Sequence, residues 1–369
     1  MCSRAYDSTL GLIAALALAA CAAQPPDARD NTALRQKISA AVPASWRAAT
    51  ATVDDISPLA MTPELRDFVH SAVEGTTDRQ EQMLTLTRTI IGDDGLGLTY
   101  DPDATFTASE AFQSGTANCI GFSNLLIASA RELGLNAQYE LVSHWPDWDK
   151  VGNVLVASLH MRVVSRVGGK HLIFDFYPDP IDSTYSAQPL SDDDALAHLL
   201  NNLAMAAMNR GEDARAYALM SKAIESSPRT AFIWSNLGLL LSRHHLDASA
   251  EAALREALLI DPEQLSALSN LQRLYLGQGR YEEARRLDSQ LEGYRARNPY
   301  YHARLGQRAY EQGHFEDAVG HFKDAIHRKQ DEPYFYVQLS RSYERLGESR
   351  SALRARHKAQ ALSNKKAAP

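Results

Sequence analysis

The second half of the chain repeats a pattern of small and apolar residues every 34 positions. Alanine recurs without a slip at Ala216, Ala250, Ala284, Ala318 and Ala352. Each unit contains two short amphipathic segments separated by turn residues, which predicts a pair of helices joined by a tight turn. The recurring small residues allow the two helices of a pair to approach closely.

The best-marked unit carries a spaced set of residues: Trp234, Leu237, Gly238, Leu241, Ala250, Leu254, Ala257 and Pro262. This set and the period of 34 resemble the tetratricopeptide repeat (TPR). Units begin near residues 197, 231, 265, 299 and 333, so we expect an all-α TPR solenoid of about five repeats over 192–369. The resemblance implies a concave face that binds an extended protein or peptide segment, either a substrate or a partner.

The first half mixes helical and strand patterns. Thr62-Pro63 and Asp78 have the residues of helix starts. Three β-rich runs follow, at Gln138–Ser143, Val154–Val167 and His171–Tyr177. Gly168-Gly169 joins the last two as a tight turn, so opposed residues have numbers that sum to 337.

One cysteine stands out in this half. A small, polar turn ends at Cys119 and leads directly into an apolar segment of helical period. A helix N-terminus favours a thiolate over a thiol, and the thiolate is the nucleophilic form. The hairpin register places His160 and Asp175 on one face as diagonal neighbours, about 7–8 Å apart. We therefore predict catalytic roles for all three: Cys119 as nucleophile, His160 as base and Asp175 as the group that orients it.

Several alternatives stay open. Cys119 alone could be a buried, inert residue, and His144 and His171 are rival bases. Trp145 and Trp148 could line a groove or simply pack. The acidic run 192–194 is expected to be the solvated start of a helix. No cluster has metal-ligand spacing, so we expect neither metal nor cofactor.

The order and spacing of cysteine, histidine and aspartate resemble the transglutaminase-like superfamily of papain-type cysteine enzymes, over Thr62 to Pro180. The resemblance implies an α+β transglutaminase-like domain at 62–191, ahead of the solenoid. It also implies a hydrolase, a peptidase or an amide acyl-transferase, although some relatives have lost activity. The chain departs from the family pattern at two places, and the first of them concerns the oxyanion donors. Asn118-Cys119-Ile120 replaces the usual Gln-Cys-Trp, and Arg162 replaces a common aromatic residue.

The N-terminus predicts export. An uncharged run from Leu10 ends in Leu-Ala-Ala-Cys21, which resembles a bacterial lipobox. We expect a signal peptide at 1–20 and lipidation of Cys21. A lipidated N-terminus, tether and leading helix would follow over 21–61. The resemblance implies a periplasm-facing outer-membrane lipoprotein of the bacterial cell envelope, with a plain secretory signal as the alternative. The lipid anchor would be its sole membrane contact.

The charge divides unevenly along the chain. Residues 1–196 carry 13 Lys and Arg against 25 Asp and Glu, whereas residues 197–369 carry 25 against 20. The basic residues of the second half are interleaved with acids, which argues against nucleic-acid binding. Two functions remain: an envelope cysteine enzyme whose repeats hold its substrate or a partner, or a non-catalytic TPR lipoprotein that serves as an assembly scaffold.

Overall fold

The computed structural model describes residues 31–51, 53, 56–142, 148–151, 154–157, 160–167, 169–176 and 187–367. The predicted signal peptide and Cys21 lie outside the described residues. Among the helices of the described ranges, none combines the length and apolar character that a bilayer span requires.

Helices dominate the described residues up to residue 132. In chain order they are α1 (Thr32–Ala41), α2 (Ala44–Thr50), α3 (Pro63–Ala72), α4 (Arg79–Ile91), α5 (Ala108–Ser114) and α6 (Cys119–Glu132). Two short strands, β1 (Thr99–Tyr100) and β2 (Thr116–Ala117), pair in parallel before α6. Both predicted helix starts are confirmed, because the Thr62 and Asp78 side chains accept backbone N–H groups of α3 and α4.

The remaining strands form a four-stranded antiparallel sheet and a separate hairpin. They are β3 (Ala137–Val142), β4 (Trp148–Val151), β5 (Val154–Ala157), β6 (His160–Val167), β7 (Lys170–Phe174) and β8 (Ala187–Leu190). The order in the larger sheet is β7-β6-β3-β8, while β4 pairs with β5. The β-rich run predicted over 154–167 contains two strands, β5 and β6, which belong to different sheets. Both parts favour β structure, and a residue pattern does not show where the chain leaves one sheet for another.

The register of β6 and β7 is the predicted one. Val163 pairs with Phe174 and Val167 with Lys170, so paired numbers sum to 337. Gly169 has a φ of 77°, a left-handed conformation that suits glycine in this tight turn. Continued past the end of β7, the same register brings residue 175 beside residue 162.

The second half is a TPR-like array of helix pairs. Its helices are α7 (Asp192–Asn209), α8 (Asp213–Ser226), α9 (Ala231–Arg243), α10 (Asp247–Ile260), α11 (Leu265–Gly277), α12 (Tyr281–Arg297), α13 (Pro299–Glu311), α14 (Phe315–Arg328), α15 (Pro333–Arg345) and α16 (Ser349–Ala367). The alanines at the 34-residue spacing are all buried, each in the second helix of its pair. The two helices of a pair approach closely at Gly238, where an added Cβ would lie 2.6 Å from Leu254 Cγ.

Ala250→Leu is expected to lower the free energy of unfolding by about 1–3 kcal/mol, because the larger side chain overpacks the contact between α9 and α10. Ala250 has no exposed surface, and its carbonyl oxygen would lie 3.3 Å from a Cβ at Gly238. Gln278→Leu, at an exposed turn, is the control and should change stability by less than about 0.5 kcal/mol. Equal urea midpoints for the two variants would argue against this helix packing.

Two segments join the halves more closely than the sequence indicates. Ile38 of α1, Trp46 of α2 and Val42 between them belong to the same hydrophobic core as the first three helix pairs. Helix α7 contributes Ala195 and Leu199 to the core around α6, and other faces of the same helix enter the repeat core. The predicted domain boundary coincides with the start of α7, but both cores extend across it.

Candidate active site

Cys119 is the first residue of α6. The Asn118 side chain caps this helix by accepting the N–H groups of Ile120 and Gly121, each at 3.0 Å. Neither of these hydrogen bonds uses the backbone N–H of Cys119 itself. The thiol is free and partly buried, at the end of the helix where unpaired N–H groups favour an anion.

The start of α6 is fixed against the segment at 104–106. Asn118 donates from Nδ2 to Thr105 Oγ1 at 2.6 Å, and its backbone N–H donates to the Ala104 carbonyl. A Cβ at Gly121 would lie 3.3 Å from that carbonyl, so a glycine permits the close approach. The position of the thiol is therefore set by a network around Asn118 that the sequence analysis did not identify.

The structure brings His160 and Asp175 together as the register requires. His160 Nε2 lies 2.6 Å from Asp175 Oδ1. The His160 side chain is 3% exposed, whereas that of Asp175 is 23% exposed. A short contact between a buried imidazole and a partly solvated carboxylate is typical of a charge-assisted hydrogen bond.

The electrostatics link all three predicted residues. Burial lowers the pKa of His160, but hydrogen bonds to Asp175 and Cys119 outweigh this effect and raise the pKa to about 9. The imidazole therefore stays protonated at neutral pH while it contacts the thiol. An imidazolium beside a sulfur favours the thiolate, which is the nucleophilic form.

An aromatic stack connects the two parts of the site. Phe176, directly after Asp175, stacks on Phe122 of α6 with ring centroids 4.8 Å apart and planes 19° apart. The Tyr100 ring also contacts the Phe176 ring, with centroids 5.9 Å apart. Since Phe122 lies one helical turn from Cys119, this stack holds the aspartate near the nucleophile. In the sequence, the alternation Phe174-Asp175-Phe176 was the feature that could have indicated this stack.

A buried ion pair lies next to His160 on the sheet. Arg162 donates from Nε to Glu140 Oε2 at 2.7 Å, and the two residues are directly opposed on β6 and β3. Their side chains are only 5% and 10% exposed. The sequence marked Arg162 as a departure from the family pattern, and the structure shows that Glu140 neutralises it.

The other sequence candidates have different settings. His171 is exposed and pairs with Arg166 near the turn, away from the buried position of His160. His144 and Trp145 lie outside the described residues, as does the side chain of Trp148.

The acidic run begins α7, as predicted, and Asp192 and Asp193 are exposed, but two of its carboxylates also have partners. Arg131 donates to both Asp192 oxygens, at 2.6 and 2.9 Å. Asp194 accepts a hydrogen bond from Ser227 at 2.5 Å. These carboxylates connect α7 to α6 and to the end of α8, which a sequence pattern cannot reveal.

The raised pKa of His160 predicts a pH dependence of stability. The folded protein holds this proton more tightly than the unfolded chain, so its contribution is complete below about pH 6.5 and is lost as the pH rises to about 9. We expect the free energy of unfolding to fall as the pH rises through the upper part of that window. Urea melts of the wild type and of His160→Gln test this, because the variant should lack the decline. Burial shifts the pKa of His198 the other way, to about 4, so its effect falls on the acid side.

Comparisons with known proteins find solved structures that cover about half of this chain. No family model and no curated protein matches the chain. Among solved structures, MamA residues 41 to the end from Desulfovibrio magneticus RS-1 is 15% identical, with 48% of this chain and 99% of that chain covered and a TM-score of 0.26. YrrB, titled a TPR protein with an unusual peptide-binding site, is 16% identical over 45% and 86% of the two chains, with a TM-score of 0.26. At these scores, the repeat assignment depends on the helix pairs described above.

Proposed function

We propose that the protein is a cysteine hydrolase, peptidase or amide acyl-transferase that acts through Cys119, His160 and Asp175. The observation that carries this proposal is the 2.6 Å contact of Asp175 with a buried histidine that also contacts a thiol at a helix start. The resemblance to transglutaminase-like enzymes supports the same assignment, in the same chain order.

In the proposed reaction, the Cys119 thiolate attacks the carbonyl carbon of an amide. The C–N bond breaks, the leaving amine takes the proton from His160, and a thioester remains on the sulfur. Water or a second amine then attacks the thioester carbonyl carbon and gives its proton to His160. The C–S bond breaks, the acid or new amide is released, and the sulfur leaves as the thiolate, which restores the ion pair. Because Asp175 holds Nε2, Nδ1 is the nitrogen that exchanges a proton with the sulfur. The Cys119 backbone N–H is the candidate donor to the oxyanion.

The repeats would hold a protein or peptide. Asparagines on the first helices of consecutive pairs form a polar row, in which Asn236 donates to Asn201 at 2.8 Å and Asn270 lies 3.5 Å from Ser235 Oγ. These bonds connect consecutive helix pairs of the array. The helix pairs also favour the second candidate function, a non-catalytic binding scaffold, which needs no other part of the chain.

Location is part of the proposal. Lipidation of Cys21 would hold the protein at the periplasmic side of the outer membrane, where its substrates would be envelope proteins. Cys21→Ser should move the protein from the membrane fraction to the soluble fraction, whereas the neighbouring Ala22→Ser should not. Membrane retention of Cys21→Ser would contradict the anchor and leave the catalytic proposal untouched.

Comparative proteomics of a bacterial strain that carries this gene tests the enzymatic proposal. Cleaved or crosslinked envelope proteins should change in Cys119→Ala and stay unchanged in His171→Ala, a matched control for an exposed histidine of the same sheet. If both variants match the wild type while deletion of the gene alters envelope assembly, the scaffold function is favoured instead.

A further inference from the structure

A second group of chemically competent side chains lies in the fourth helix pair, away from the candidate active site. His302 is on α13, and His321 and Asp324 are on α14. One ligand atom from each lies within 4.8 Å of the other two. His321 and Asp324 are three residues apart and share a helix face, which explains how α14 presents both toward α13.

The ring of His302 is oriented as a metal ligand usually is. Its Nε2 lies 3.3 Å from the carbonyl oxygen of Ala296, at the end of α12, and can donate to it. Its Nδ1 is buried, has no hydrogen-bond partner and lies 4.0 Å from Asp324 Oδ2. A backbone carbonyl on one imidazole nitrogen fixes the tautomer and leaves the other nitrogen with a lone pair for a metal.

Arg328 also contacts this group. It donates from Nε to the Ala296 carbonyl at 2.6 Å. Its Nη1 lies 3.6 Å from Asp324 Oδ1, whereas the other carboxylate oxygen, Oδ2, is the one near His302. The carboxylate is thus held in place with one oxygen directed at the imidazole.

We propose that His302, His321 and Asp324 form a Zn²⁺ site, with a water molecule as the fourth ligand. Two imidazole nitrogens and one carboxylate oxygen suit Zn²⁺, while Ca²⁺ and Mg²⁺ prefer all-oxygen sites. Tetrahedral binding at about 2.0–2.1 Å places ligand atoms about 3.3 Å apart. The present spacing reaches this value through small side-chain rotations, since Asp324 is exposed and His321 is partly exposed.

The position of the site in the helix array predicts an effect of bound metal on stability. The core of the first three helix pairs ends at Leu291, and a separate core of the last two pairs begins at Ala303. The site ties α13 to α14 and, through Ala296, lies against the end of α12. Bound Zn²⁺ would therefore stabilise the last two helix pairs and their attachment to the rest of the array.

The test is a Zn²⁺ titration of the untagged, full-length protein against a chromophoric chelator. We expect one saturable equivalent, with affinity at least about 100-fold weaker in His302→Ala and in Asp324→Asn. His314→Ala, at the far end of α14, is the matched control and should bind as the wild type does. Cys119→Ser should also bind normally, which separates this site from any metal held by the thiol.

A melt of the same variants adds an independent measurement. Zn²⁺ should raise the unfolding temperature of the wild type and of His314→Ala, and should leave that of His302→Ala unchanged. The proposal is overturned if the wild type takes up no stoichiometric Zn²⁺, if His302→Ala binds as tightly as the wild type, or if binding is lost only in Cys119→Ser.

Discussion

His160→Ala is expected to slow the alkylation of Cys119 by iodoacetamide about 10- to 100-fold at about pH 6. In the wild type, the His160 imidazole has a pKa of about 9 and is therefore a cation at that pH. A neighbouring cation speeds the reaction of a cysteine with electrophiles. An ordinary thiol, with a pKa of about 8.5, is less than about 1% ionised there. The difference should narrow above about pH 9, where any accessible thiol ionises. Quantifying the modified Cys119 peptide over a pH series measures the effect.

Two further variants sharpen this test. His171→Ala removes an exposed histidine of the same hairpin and should leave the profile unchanged. Asp175→Asn should reduce turnover more than alkylation, because it allows the imidazole to take the wrong tautomer. A buried structural cysteine would instead react slowly at every pH and indifferently to all three changes.

Glu140→Ala is expected to lower the free energy of unfolding by about 3–5 kcal/mol. The substitution leaves the Arg162 guanidinium buried at 5% exposure without its carboxylate partner. The cost arises from that unpaired charge, so it should exceed the effect of removing a surface carboxylate. Denaturant melts at constant pH provide the measurement.

The double variant Glu140→Leu, Arg162→Met is the informative control. It replaces the pair by apolar side chains of similar size, and such exchanges are often neutral or stabilising. We expect it to regain most of the stability lost in Glu140→Ala. A double variant as unstable as the single one would show that the pair contributes through specific contacts rather than through mutual neutralisation.

Local and periodic features were predictable from the sequence. The 34-residue spacing depends on contacts within each helix pair, and the β6–β7 register follows from one tight turn. The same register anticipated the proximity of His160 and Asp175. The start of α6 at Cys119 was predictable because a polar turn gives way to an apolar helical pattern at that residue.

Contacts between distant segments could not be predicted. Nothing in the composition of α1 and α2 shows that Trp46 packs against Tyr217 of α8, with ring centroids 5.7 Å apart. The cluster of His302, His321 and Asp324 was missed because its members are spread over 23 positions and meet only when α13 packs on α14. Such contacts form only when distant segments pack in the tertiary structure, and no local pattern of residues indicates them.

The most direct test of the central claim is a burst experiment with p-nitrophenyl acetate. The Cys119 thiolate should attack the ester carbonyl and release p-nitrophenolate, which leaves an acetyl thioester on the sulfur. We predict a burst of about one equivalent, an acetyl group on Cys119 by peptide mass spectrometry, and no burst in Cys119→Ala or His160→Ala. The absence of a burst in the wild type, or acetylation of Cys119 at the same rate in His160→Ala, would contradict the account.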